Sequence, residues 1–132
     1  MTNIDLSSLY RRYIDCLNAR DLDRLEDFVH SDVHYNGRRI GLSGYRAMLQ
    51  GNYRDIPDLR FHIQLLVADA ATVASRLNFD CRPVGRFLDM DVNGRRVSFS
   101  EHVLYEFEDL RIRTVWSLID KAAIAHQLAS TA

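Results

Sequence analysis

The sequence predicts an α+β domain in which N-terminal helices pack on one face of a curved, mostly antiparallel sheet. Two observations carry this reading. Up to Tyr53 the apolar residues recur at three- and four-residue spacing, whereas from Leu59 to Asp120 the period falls to two. Tight-reversal chemistry at Asn93-Gly94 and Glu108-Asp109-Leu110 then punctuates the second half. Helices followed by a strand meander place their apolar stripes against a single sheet face. With 132 residues, 47% hydrophobic and 27% charged, the chain reads as one globular domain over 1–132.

Leu6, Leu9, Tyr10, Tyr13, Ile14 and Leu17 form the stripe of a first amphipathic helix, with Arg11, Arg12, Asp15 and Asn18 opposite. Asp21 is an N-cap candidate for a short second helix carrying Leu22, Leu25, Phe28 and Val29 and ending near His30 to Asp32. An extended piece, Val33 to Asn36, precedes Gly37 and Gly41, and Ser43 is placed to cap a third helix reaching about Tyr53. Pro57-Asp58 closes that segment with turn chemistry. Strands are expected at Leu59 to Ala68, Thr72 to Cys81, Val97 to Phe107 and Arg111 to Asp120, followed by a short helix from Lys121 to Leu128.

Seventeen basic residues against 18 acidic ones leave a net charge of -1, so nothing global draws the chain to nucleic acid or anionic lipid. All but Lys121 of the basic residues are Arg, scattered along the chain or paired on helix faces and beside turn glycines, as in Arg11/Arg12, Arg38/Arg39 and Arg95/Arg96. Cys16 and Cys81 form neither a CxxC pair nor a disulfide framework, which points to reduced thiols and a cytoplasmic setting. No stretch approaches the ~18 apolar residues of a membrane span. The absence of GxGxxG, P-loop, GxSxG and HExxH patterns gives no support to a nucleotide cofactor, a serine nucleophile or a zinc site. His30 and His34 have metal-pair spacing, but the helix is expected to end between them, so neither a metal nor any other cofactor is expected.

Two strands hold the informative residues. One face of Val97 to Phe107 reads Val97, Phe99, Glu101, Val103, Tyr105, Phe107, an apolar row containing a single carboxylate. One face of Arg111 to Asp120 reads Ile112, Thr114, Trp116, Leu118, Asp120. A regular hairpin would set Tyr105 opposite Thr114, Val103 opposite Trp116 and Glu101 opposite Leu118, with Asp120 diagonally beside Glu101; a one-residue bulge would shift every pair. The same register sends Leu104, Val115 and Ile119 outward, too apolar a row for a solvated face, which suggests a homodimer through the outer sheet surface.

The segment from Glu101 through Tyr105, Phe107, Asp109, Ile112, Trp116 and Ser117 to Asp120, continuing to Gln127-Leu128, resembles the C-terminal signature of SnoaL-like polyketide cyclases and predicted ester cyclases. That signature runs roughly E-x-x-x-Y-x-F-x-D-G-K-I-x-E-x-W-S-x-x-D. Asp32, Tyr35-Asn36-Gly37 and Tyr45 to Leu49 are similar to the family's H-N-G segment and following helix. Leu110, Arg111 and Thr114 depart from its glycine, lysine and glutamate. The resemblance implies the cone-shaped α+β barrel of the cystatin-like, nuclear transport factor two-like superfamily, shared with ketosteroid isomerases and limonene epoxide hydrolases.

It also implies that Asp120 matches the general acid/base aspartate of characterised cyclases; capping of the last helix, whose N-terminus it precedes, explains the residue equally well. Glu101 is either a second catalytic carboxylate or the buried partner of an arginine. Tyr13, Asn36, Phe79, Phe99, Tyr105 and Trp116 are candidates to line a pocket for a small hydrophobic carbonyl compound, Tyr13 or Asn36 stabilising an enolate; plain core packing, or a turn role for Asn36, competes. The expected activity is a cofactor-independent cyclase or isomerase of the lyase or isomerase class. The alternatives are a non-catalytic ligand-binding domain, a dimeric scaffold or an epoxide hydrolase-like enzyme on the same fold.

Overall fold

The computed structural model describes residues 5–130. Helix α1 (Leu6–Ala19) is capped by the Asp5 side chain, which accepts from the Ser7 amide, and it buries Leu6, Tyr10, Tyr13, Ile14 and Leu17. A 3₁₀ turn, Leu22–Asp27, follows. It ends earlier than the periodicity implies, because Phe28 and Val29 turn inward as the entry to strand β1 (Val29–Tyr35). After β2 (Arg38–Arg39), helix α2 spans Gly41–Asp55; it starts ahead of Ser43 and has no side-chain cap.

Strand β3 (His62–Ala68) begins three residues later than expected, Leu59 to Phe61 remaining outside the ladder. Strand β4 covers Thr72–Cys81, and β5 (Arg86–Phe87) with β6 (Met90–Asp91) makes a small separate hairpin that periodicity did not reveal. Strands β7 (Val97–Glu108) and β8 (Arg111–Ile119) and helix α3 (Lys121–Ser130) complete the described residues.

The main sheet has the order β2-β1-β8-β7-β4-β3. All its pairs are antiparallel except β1 with β8. It is an open, curved sheet with β2 and β3 at its edges and α1 and α2 on one face, which bears out the expected α+β architecture, although the strands do not close into a full barrel. Tyr10, Tyr13, Leu25, Leu77, Ile112 and Val115 lie in that core at 2% exposure or less.

The decisive feature is a bulge in β8. Phe107 pairs with Ile112, but Glu106 pairs with Thr114, leaving Arg113 without an opposite residue. The Arg113 guanidinium is held by the Asp32 carboxylate (2.8 Å), the Asp32 carbonyl (2.7 Å) and His34 Nδ1 (2.8 Å), which anchors the extra residue. Beyond it every residue of β8 exchanges faces relative to a regular hairpin. Tyr105 therefore opposes Val115, Leu104 opposes Trp116, Val103 opposes Ser117, and Glu101 opposes Ile119.

This corrects the outward row, which is Leu104, Trp116 and Leu118, with Leu118 at 73% exposure and Trp116 at 45%, while Val115 is buried and Ile119 half-buried. The hairpin turn itself places Asp109 (φ 53°) and Leu110 (φ 62°) in the left-handed region, the conformation for which the family signature has glycine at the second position.

Candidate active site

Glu101 faces the helices from the middle of the apolar row of β7, flanked along the sheet by Leu77 of β4 and Ile119 of β8. An arginine partner is the reading the structure removes. The hydroxyl of Ser117, brought to the inner face by the bulge, donates to Glu101 Oε2, and among the described residues no ion pair reaches this carboxylate. Desolvation raises the Glu101 pKa, the Ser117 hydrogen bond working against that shift.

Around it stands a group of tyrosines. Tyr13 and Tyr45 hydroxyls pair at 2.7 Å, and the Tyr10 hydroxyl donates to that of Tyr105 at 3.3 Å. The rings of Tyr10 and Tyr105 lie 4.9 Å apart, and that of Tyr35 meets Tyr45 edge-on at 6.3 Å. Burial pushes the Tyr10 phenol up to about 12 and holds Tyr13, Tyr45 and Tyr105 well above the ordinary range, so these hydroxyls keep their protons. Four of the five, Tyr10, Tyr13, Tyr45 and Tyr105, are buried; Tyr35, Ser117 and Glu101 are partly exposed and mark the accessible side of the cluster.

Asp120 is set differently. The face exchange that turns Ser117 inward leaves Asp120 exposed, and its Oδ1 accepts from the Ala123 amide at the start of α3. The expected diagonal Glu101–Asp120 juxtaposition is thereby corrected: Ile119, not Leu118, stands level with Glu101, and the Asp120 side chain is exposed. Asp120 borders an outer groove of ≈ 490 Å³ that also includes Arg76, Ser100 and His62.

The remaining candidates divide. Tyr13 and Tyr105 belong to the tyrosine cluster. Phe79 and Phe99 are buried and stack at 5.1 Å. Asn36, left-handed at φ 49°, accepts the Ser117 amide on Oδ1 at 2.7 Å and so braces β8 from the end of β1. Trp116, expected inside, lies on the outer face, again because of the bulge.

Sequence reasoning missed Tyr10, Tyr35, Tyr45 and Ser117 as site residues. A signal for the helical pair existed: Tyr10 and Tyr13 sit together on one apolar stripe, and a buried tyrosine hydroxyl needs a polar partner. No group of three or more His, Cys, Asp or Glu able to hold a metal ion occurs among the described residues.

Among curated proteins no match was found. Solved structures are similar over nearly the whole chain. A SnoaL-like polyketide cyclase from Agrobacterium tumefaciens strain C58 is 53% identical at a TM-score of 0.94, covering 95% of this chain and 98% of its own. TsrD from Streptomyces laurentii shares the fold at 23% identity and a TM-score of 0.83, with coverage of 97% and 99%. IdmH from Streptomyces antibioticus does so at 19% identity and 0.82, with 96% and 99%. The family model described as SnoaL-like polyketide cyclase matches residues 7–128, nearly the whole chain, and the protein belongs to that family.

Proposed function

We propose that this chain is a cofactor-independent cyclase or isomerase acting on a small, hydrophobic carbonyl compound, with Glu101 as its proton acceptor and donor. The observation that carries the reading is a partly exposed carboxylate, desolvated, without an ion-pair partner among the described residues, hydrogen-bonded by the Ser117 hydroxyl and close to the buried tyrosine cluster. Such an environment moves a carboxyl toward the range suited to general acid–base work. Glu101 would take the proton α to the carbonyl, the C–H electron pair passing into an enolate whose oxygen accepts from a tyrosine hydroxyl. Tyr35 lies on the accessible side, and the Tyr13–Tyr45 pair stands behind it. The enolate carbon then attacks a second carbonyl of the same molecule, closing a ring while the new alkoxide takes the proton back from Glu101. Alternatively, where the enolate is conjugated with a C=C bond, its electrons shift to the γ carbon, which takes that proton instead.

A second reading assigns the proton transfer to Asp120. Its match to the terminal aspartate of the family signature and its place beside a groove containing Arg76 favour it. Exchange of acidic α-protons in candidate ketones, followed by NMR, separates the two. Glu101→Gln is expected to slow exchange by ~10² to 10⁴, the range general acid–base catalysis contributes, with Asp120→Asn near wild type. The opposite pattern assigns the chemistry to Asp120. Exchange no faster with the wild type than without protein would leave a non-catalytic ligand-binding domain, and two unaffected variants of an active wild type would rule out both carboxylates.

The outer face supports a homodimer in a cytoplasmic setting that keeps Cys16 and Cys81 as thiols. Leu65, Val67, Leu104, Trp116 and Leu118 are all exposed and border a trough of ≈ 660 Å³. Light scattering at micromolar concentration is expected to give twice the chain mass, and Leu118→Glu to return it to that of one chain. A wild-type monomer would overturn the dimer.

A further inference from the structure

We infer that Ser117 is a positioning residue for Glu101, orienting its carboxyl and setting, through the hydroxyl it donates, which protonation state the site favours. The inference rests on the reading of Glu101 as the acid–base group only for its catalytic meaning; the linkage between the two side chains stands on geometry alone.

Three features place Ser117 where it is. The bulge at Arg113 turns it to the inner face, level with Val103 and diagonal to Glu101 on the neighbouring strand. Strand β1 ends at Tyr35, opposite Val115, so the next part of the β8 ladder lacks a strand partner on that side. Asn36 supplies the missing acceptor. Its own amide donates to the Val115 carbonyl at 2.8 Å, and its Oδ1 takes the Ser117 amide at 2.7 Å. The backbone of Ser117 is thus fixed from both sides, and its hydroxyl is aimed at Glu101 Oε2.

The groups facing Glu101 from the packed elements are Tyr10 of α1, Tyr35 of β1, Tyr45 of α2 and Tyr105 of β7, all neutral phenols. Tyr13 with Tyr45, and Tyr10 with Tyr105, direct their hydroxyls at each other. Tyr35, the remaining phenol, neighbours Ser117, and it is the Ser117 hydroxyl that donates to the carboxylate. A hydroxyl suits a group that must change state. It donates to the anion and, by rotating, accepts from the protonated acid, whereas a guanidinium in its place would hold Glu101 ionised throughout.

Glu101 can be titrated directly by carboxyl ¹³C NMR in the full chain, without a substrate. Ser117→Ala is expected to raise its midpoint by about one pH unit, the scale of a single hydrogen bond to a charged group. Ser117→Thr, which keeps the hydroxyl, is expected to restore it. If the alanine variant fails to fold, Asn36→Ala serves instead, loosening the Ser117 backbone and moving the midpoint in the same direction. A midpoint unchanged or lowered in Ser117→Ala, or raised equally in Ser117→Thr, overturns the inference. A shifted midpoint together with full α-proton exchange in Glu101→Gln would sink the catalytic reading and leave the Ser117 linkage intact.

Discussion

Glu101 and Asp120 stand at the same end of the β7–β8 ribbon, with the Asp120 amide donating to the carbonyl of Ser100, the neighbour of Glu101. Their carboxylates meet opposite surroundings. Glu101 enters a tyrosine-lined interior and finds one hydroxyl; Asp120 remains in solvent and caps a helix. Backbone proximity across a strand pair says little about chemical proximity, because the pleat sends adjacent positions to opposite faces and one extra residue decides which. The inner face collects polar groups that must satisfy each other, while the outer face leaves large apolar groups uncovered.

The sharpest way to break this contrast is to disturb the polar interior. Tyr13→Phe leaves the Tyr45 hydroxyl buried without its 2.7 Å partner and is expected to cost ~1–3 kcal/mol in urea unfolding. Replacing both tyrosines by Phe is expected to cost less than the sum of the two single changes, since it removes both polar groups together. Additive losses would mean that the two hydroxyls do not depend on each other.

Asp120 offers the milder counterpart. Asp120→Ala removes the cap of α3 and is expected to lower stability by ~1 kcal/mol, whereas Asp120→Asn, which caps well, costs a few tenths. Equal losses in the two variants would show that the carboxylate does more at this end of the sheet than cap a helix.

The turn joining the two strands gives an effect of opposite sign. Leu110→Gly relieves a left-handed, exposed leucine and is expected to stabilise the fold by up to ~1 kcal/mol, less the entropy that glycine returns to the unfolded chain. An unchanged or lowered Tm would mean that those two contributions cancel or that Leu110 packing outweighs the strain.

The smallest effect concerns pH. Burial raises the folded-state pKa of Glu101 above its ordinary 4.5, so the folded state holds this proton more tightly than the unfolded one. The associated stability is fully present below the unfolded pKa and is lost as pH rises through the folded value. Glu101→Gln, which cannot ionise, is therefore expected to gain stability over wild type on the neutral side, the gain shrinking as pH falls to about 4. A stability difference constant across that window would show that Glu101 is not desolvated in the folded state.

Much of this architecture was legible in the chain. The stripe from Leu6 to Leu17, the alternation in Thr72 to Cys81, and the reversals at Asn93-Gly94 and Glu108 to Leu110 are local signals, set by periodicity and turn chemistry, and the α+β layout follows from them. The run from Glu101 to Asp120 also carried the family resemblance, and Glu101 stood out as a carboxylate in an apolar row.

What the sequence determined by itself was thus the period of each segment and the identity of its anomalies; which face those anomalies occupy was decided by tertiary structure. The bulge at Arg113 depends on Asp32 and His34, some 80 positions away, and no local pattern in β8 announces it. That one long-range anchor moved Trp116 and Leu118 outside and Ser117 inside, and it separated Asp120 from Glu101. The tyrosine cluster arose likewise, from hydroxyls of α1, α2 and β7 that meet only when helices and sheet pack. Local spacing fixes direction along an element, but the side a residue faces depends on register, and register is a property of the contacts between elements.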